Sequence, residues 1–262
     1  MSEFTGKAGL VSGAAGGIGR ATAIAFGREG ASVVVADIGP MRAQAEETVR
    51  LVEEAGGKAV FVPVDVADAA SVRNLIATTV ETYGRLDFAH NNAGVLVGGF
   101  LADTTEEDFD KIIAVDLKGV FLAMKEEINH MMEHGGGAII NTASEAGLVG
   151  TPQAGAYVAA KHGVVGLTKT AAGEYANFGI RVNGIAPGAI GTPMVLNLPQ
   201  EAQESLMAPQ PMHRLADPSE VAHTVVFLAS EKASFITGTI ISIDGGATSN
   251  AQSYDPVNSP AA

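Results

Sequence analysis

Ser144, Tyr157 and Lys161 are the side chains in this sequence best spaced to move a proton to and from an alcohol. A tyrosine ordinarily keeps its proton until about pH 10, so at neutral pH it is a poor base. Lys161 follows Tyr157 by four positions, which on a helix puts both side chains on one face. An ammonium beside a phenol favours the phenolate. Such a pair can take or return an alcohol proton near neutrality, as general acid–base chemistry requires. Tyr-x-x-x-Lys alone is a common helix-surface pattern, and its weight here comes from the residues around it.

The first of these is a glycine loop, Ser12-Gly13-Ala14-Ala15-Gly16-Gly17-Ile18-Gly19, between an apolar run and a helical segment. Glycines there let the backbone turn sharply and approach a pyrophosphate, with the helix N-terminus facing it. The spacing is Gly-x-x-x-Gly-x-Gly, not Gly-x-Gly-x-x-Gly. A tight helix–strand contact would use the same small residues, but the position favours dinucleotide binding. Asp37 ends the second apolar run. A carboxylate there accepts hydrogen bonds from ribose hydroxyls and repels a 2′-phosphate, so NAD is expected over NADP. Arg20 and Arg42 lie close enough in sequence to supply a cationic alternative.

The elements that must position these residues follow one repeated phrase. A helical segment ends at a glycine and a β-branched run follows at once, at Gly30, Gly56-Gly57, Gly84 and Gly179. The runs Ser32-Val33-Val34-Val35 and Ala59-Val60-Phe61-Val62 are continuous rather than alternating, as in parallel strands covered on both faces. The alternation over residues 7–243 predicts a doubly wound α/β sheet of about seven strands in one domain of 262 residues. Residues 187–215 break the rhythm with prolines, glycines and an apolar helix-like piece, and are expected to form a substrate lid or an irregular surface loop. Residues 247–262, rich in Ser, Asn, Pro and Ala, read as an extended tail.

Composition sets limits on partners. The net charge is −13 and no long basic run occurs, so nucleic acid and anionic membrane are not expected partners. There are no cysteines, hence no disulfide framework and no thiolate metal site. Residues 1–10 lack a secretory pattern, and a cytoplasmic location is expected. His130 and His134, spaced i, i+4, could clip a metal, but histidines in a last helical turn are better explained by the helix dipole, and no metal is expected. His90 and His162 read as packing neighbours of the motifs.

Taken together, Gly13-x-x-x-Gly17-x-Gly19, Asp37, Asp65-Val66, Asn91-Asn92-Ala93-Gly94, Ser144, Tyr157-x-x-x-Lys161 and Pro187-Gly188 closely resemble the short-chain dehydrogenase/reductase family, in its order and over residues 6–246. The resemblance implies a Rossmann-type, single-domain fold and a catalytic tyrosine, Tyr157. It also implies that Ser144 holds the substrate oxygen, and that Lys161 binds the nicotinamide ribose and assists the tyrosine. By the same resemblance Gly13, Gly17 and Ile18 would meet the pyrophosphate and Asp37 the adenosine ribose. Asp65 and Val66 would flank adenine, and Asn92 and Gly94 would line the cleft. Pro187, Ile190 and Thr192 would contact the nicotinamide end. One position departs: where the family has a catalytic asparagine at a helix irregularity, this chain has Asp116. If only the backbone carbonyl acts there, little changes; if the side chain acts, a carboxylate beside Lys161 partly cancels the lysine's pull on Tyr157.

The expected activity is NAD-dependent interconversion of a hydrophobic secondary alcohol and its ketone, with Leu148, Gln153 and Met194 at the substrate. Leu96, Val97, Val149, Val195, Leu198 and Met207 extend an apolar lining. Within the family the chain looks most like dehydrogenases of cyclic alcohols and diols. The rivals are a 3-oxoacyl-carrier-protein-type reductase, a non-catalytic dinucleotide-binding protein, and a halohydrin lyase of the same fold. Asp37 and the acidic charge weigh against the first. The retained Ser, Tyr and Lys weigh against the second. The lysine and the glycine loop weigh against the third. The segments 105–133 and 152–178 are expected as long helices pairing across twofold axes in a homotetramer.

Overall fold

The computed structural model describes residues 2–249. Its centre is a sheet of seven parallel strands: β1 (Ala8–Ser12), β2 (Ser32–Asp37), β3 (Lys58–Pro63), β4 (Phe88–Asn91), β5 (Gly137–Thr142), β6 (Ile180–Pro187) and β7 (Ile240–Ile243). Their order is β3-β2-β1-β4-β5-β6-β7. Successive residues of the continuous apolar runs serve opposite faces. Leu10, Val34, Ile139 and Val182 belong to one buried cluster, with Val72, Leu75, Met124, Ile128 and Val164. Val11, Val33, Val35 and Ile140 belong to the other, with Phe26, Val52, Val225 and Leu228. The helices on the first face are α3 (Ala69–Tyr83), α5 (Gly119–Glu133) and α6 (Gly155–Tyr175); those on the second are α1 (Gly17–Arg28), α2 (Arg42–Glu54) and α9 (Pro218–Ala229). The two-sided cores are why these strands do not alternate. The glycines read as helix stops, Gly30, Gly56, Gly84 and Gly179, all have positive φ.

The segment expected as one helix over 105–133 is interrupted. It comprises α4 (Glu106–Ile112), capped by the Thr105 side chain, then a π-helical turn Ile113–Lys118, then α5. The segment 152–178 is shorter as a helix, with α6 followed by a 3-10 turn Ala176–Phe178. After β6 the chain forms two short helices, α7 (Pro193–Leu196) and α8 (Gln200–Met207), rather than an irregular loop. Most of the 247–262 tail lies outside the described residues. Among the described residues, no helix is long and apolar enough to cross a membrane.

The strand order reverses about β1, whose neighbours β2 and β4 lead outward in opposite directions. In such sheets the crevice beyond the carboxyl ends of the strands at the reversal is a ligand site. Below it lies a buried polar cluster that the sequence did not announce. The Asn91 amide donates to Glu127 Oε2 and to Asn141 Oδ1, both at 3.0 Å. Glu127 is wholly buried and its Oε1 has no partner. Burial raises its carboxyl from 4.5 to about 7, against the opposing Asn91 hydrogen bond. A carboxyl whose folded pKa is raised supports the fold when protonated, so that support is full below about pH 4.5 and lost as pH rises towards 7. Glu145, raised to about 7 by burial and by Asp244, acts in the same window. Glu127→Gln is therefore expected to remove part of the fall in stability between pH 4.5 and 7, on the order of 3 kcal/mol at neutral pH. Denaturant midpoints measured across that range for both proteins check this; parallel curves would reject it.

Candidate functional site

Most of the residues singled out from the sequence lie at or just past the carboxyl ends of β1 to β6, and Asp116, Tyr157 and Lys161 lie on helical segments. The glycine loop follows β1, and Gly16 caps α1 with no side-chain hydrogen bond, leaving the first-turn amides to an incoming anion. Gly17 has φ +53°, and a Cβ there would stand 3.0 Å from Thr192 Cγ2, so the loop closely faces the segment after β6. Ile18 enters α1 and packs against the second core cluster. Asp37 ends β2 and its carboxylate is fixed: Oδ2 accepts from the Ala15 amide at 2.9 Å and Oδ1 from the Ile38 amide at 2.8 Å. Both candidate cations are engaged elsewhere. Arg20 donates to the Ala15 and Gln44 carbonyls and to Thr48 Oγ1. Arg42 pairs with Glu46 and lies over the Phe61 ring.

Asp65 begins the turn after β3 and accepts from the Ala67 amide. Val66 packs on α5, where a Cβ on Gly119 would meet it at 3.0 Å. Asn92 is held against β1: its backbone N–H donates to Ser12 Oγ at 3.0 Å and its side-chain amide to the Ser12 carbonyl at 3.1 Å. Pro187 ends β6, and Ile190, buried, is bridged to Ala216. Thr192 caps α7. These positions stand at or just past the carboxyl ends of neighbouring strands, and the first-turn amides of α1 and the Asp37 carboxylate are the donor and acceptor types that a dinucleotide's phosphates and ribose hydroxyls need.

Ser144 lies just past β5, nearly buried, and opens a 3-10 turn Glu145–Gly147 by accepting from the Ala146 amide. That turn packs on α6 so tightly that a Cβ on Gly147 would be 2.8 Å from the Lys161 carbonyl oxygen. Absence of a side chain at 147 thus lets the β5 end and α6 approach. Tyr157 is half-buried in the first turn of α6, packed in a small apolar cluster with Val95, Val97 and Ile112. Lys161 is almost fully buried. Its Nζ donates to the Thr142 carbonyl at 3.0 Å and lies 5.4 Å from the Tyr157 ring centroid. Asp116 Oδ2 stands 3.3 Å from it. Asp116 is wholly buried, and burial raises its carboxyl, opposed by Lys161 and the Val95 N–H. Gly94 abuts the pair.

Two residues without a sequence signal, Thr142 and Gln210, hold neighbouring groups. Thr142 acts through its carbonyl, and Gln210 through an amide oxygen accepting from the Ala189 N–H at 2.7 Å. His90 is wholly buried, bonded through Nε2 to Thr142 Oγ1 at 2.9 Å, and burial lowers it to about 3. His130 and His134 stack their rings at 4.0 Å. Gln153 has φ 63°, unusual for a residue with a side chain, and its carbonyl accepts from the Gly99 amide. Leu148 and Met194 present apolar side chains to solvent.

A sheet of this order with a glycine loop at its reversal is a dinucleotide-binding arrangement. Comparison with known proteins makes the class definite. A family model described as enoyl-(acyl carrier protein) reductase matches residues 13–248. Cyclohexanol dehydrogenase of an Acinetobacter species is 43% identical over 253 residues, 95% of this chain and 97% of that protein. The 3-oxoacyl-acyl-carrier-protein reductase of Thermotoga maritima is 41% identical over 244 residues, 93% of this chain and 98% of that protein. The crystal structure of levodione reductase aligns with a TM-score of 0.90 at 37% identity, covering 94% of this chain and 99% of that one. The chain belongs to the short-chain dehydrogenase/reductase family.

Proposed function

We propose that the protein interconverts a hydrophobic cyclic secondary alcohol and its ketone, using NAD. The observation that carries this reading is Lys161 Nζ held 5.4 Å from the Tyr157 ring on α6, with the turn that Ser144 opens packed against that helix and Leu96, Leu148, Val149 and Met194 exposed. Relatives named for cyclohexanol and levodione support the cyclic class. Bound nicotinamide supplies the hydride acceptor. Tyr157 Oη takes the hydroxyl proton, the Lys161 ammonium favours that phenolate, and Ser144 Oγ–H donates to the developing alkoxide. The apolar rim keeps water from the reacting oxygen. The 193–207 helices are read as the lid.

The carrier-protein reductase reading has a 41%-identical relative behind it. It fits less well, because a net charge of −13 repels an acidic carrier. Kinetics with cyclohexanol-type alcohols against acyl-carrier thioesters separates the two.

Tyr157→Phe is expected to retain NAD binding by calorimetry while kcat falls by roughly a hundredfold or more; turnover above about a tenth of wild type would remove Tyr157 from the role. The Asp37 carboxylate, held by two amides, would oppose a 2′-phosphate. The ratio of kcat/KM for NAD over NADP is expected to exceed one and to narrow in Asp37→Ala. A native preference for NADP would overturn that assignment. Assembly as a homotetramer is proposed on the exposed Phe109 and Phe121, which lie along the α4–α5 rod. Sedimentation at micromolar concentration should give four times the mass of 26.7 kDa, and a monomer would contradict it.

A further inference from the structure

Asp116 is the one buried residue of the π-helical turn Ile113–Lys118. Its two carboxylate oxygens do different work. Oδ1 accepts from the Val95 backbone N–H at 2.8 Å, and Oδ2 faces Lys161 Nζ at 3.3 Å. The fit around the pair is close: a Cβ on Gly94 would lie 2.9 Å from Oδ2 and 3.5 Å from Nζ. An asparagine amide could keep the Val95 bond through its oxygen, but its NH2 would then confront the ammonium, donor against donor. A carboxylate meets Val95 with one oxygen and Lys161 with the other, whereas an amide held by Val95 in the same place turns its NH2 to the lysine.

We propose that Asp116 is a positioning residue that fixes Lys161 by a direct buried ion pair and tempers the lysine's field at Tyr157. The proposal rests on the reading of Tyr157 and Lys161 as the acid–base pair. The other side chains about this pair leave it alone. Lys118, on the same turn, is exposed to solvent. Glu145, beyond Ser144, lies against Gly188, where burial and then the Asp244 charge raise its carboxyl to about 7. Thr142 meets the lysine through its carbonyl, and its hydroxyl is bonded to His90 Nε2, an imidazole that burial keeps uncharged. Tyr157 is thus the titratable group left facing the pair, across 5.4 Å from ring centroid to Nζ. Removing the carboxylate's charge leaves the ammonium unopposed, and a phenolate beside an unopposed cation forms at lower pH.

The test is a tyrosinate absorbance titration of Asp116→Asn and wild type, each taken as a difference against the same protein carrying Tyr157→Phe. It needs neither cofactor nor alcohol, so absence of dehydrogenase activity leaves it decisive. An unshifted titration in an active enzyme would sink this proposal and leave the proposed function standing. The Tyr157 signal in Asp116→Asn is expected to move to lower pH by roughly half a unit or more. The alkaline limb of kcat/KM against pH should move with it. Coincident titrations would overturn the proposal, because they would mean that only the backbone of residue 116 takes part. A shift to higher pH would also overturn it, by showing that the carboxylate serves to keep Lys161 protonated. If Asp116→Asn does not fold, Asp116→Ser, which also removes the charge, carries the same comparison with the same outcomes.

Discussion

A buried ammonium is among the costliest groups a protein can hold, and the site is organised around holding one. Lys161 is almost out of water, and its charge is met by the Thr142 carbonyl, the Asp116 carboxylate and the Tyr157 ring. Each partner comes from a different element: the end of β5, the π turn before α5, and the first turn of α6. The lysine therefore ties the carboxyl edge of the sheet to two helices of one face. Two glycines make the approach possible, Gly147 under the lysine's backbone and Gly94 over its head group. The π turn has the same logic: it turns Asp116 inward, where a regular helix surface would leave a carboxylate in water.

A second constraint is the reversal of strand order at β1. It sets the glycine loop, Asp37 and Asn92 at the ends of adjacent strands, with Thr192 against Gly17. The bonds from Ala15 to Asp37 and from Asn92 to Ser12 cross between neighbouring strand ends. The loop conformations thus rest on these cross-strand bonds as well as on the positive φ of Gly13 and Gly17. Arg20, drawn to carbonyls and Thr48, braces the back of the same loop instead of offering its charge to a ligand.

The buried carboxyls give the molecule a pH character separate from its chemistry. Glu127 and Glu145 both titrate near 7 because burial disfavours their charge, though neither has an ionic partner. Asp116 differs: burial raises its carboxyl too, but a lysine in contact partly offsets that effect. One element thus holds a carboxyl that is neutral at low pH as a structural group, and a neighbouring turn holds one that is built to stay paired.

Much was legible in the sequence because the relevant physics is local or periodic. Two-sided apolar runs gave parallel strands, glycines after helices gave the stops, and Tyr157 with Lys161 gave a shared helix face. The order of motifs along the chain gave the family. Other features needed the third dimension. The helix irregularity at Asp116 was implied by the family resemblance alone; no proline or glycine lies within the turn to mark it, and its extent, Ile113–Lys118, came from the structure. Thr142 and Gln210 serve through a carbonyl and an amide oxygen that any residue or many polar residues could offer, so no residue type betrays them. The Asn91–Glu127–Asn141 cluster joins positions far apart in the chain. Whether residue 116 acts through its backbone or its side chain was open from sequence, because both alternatives share one letter. Tertiary packing places the carboxylate against Lys161, because the buried ammonium must find an anion within reach.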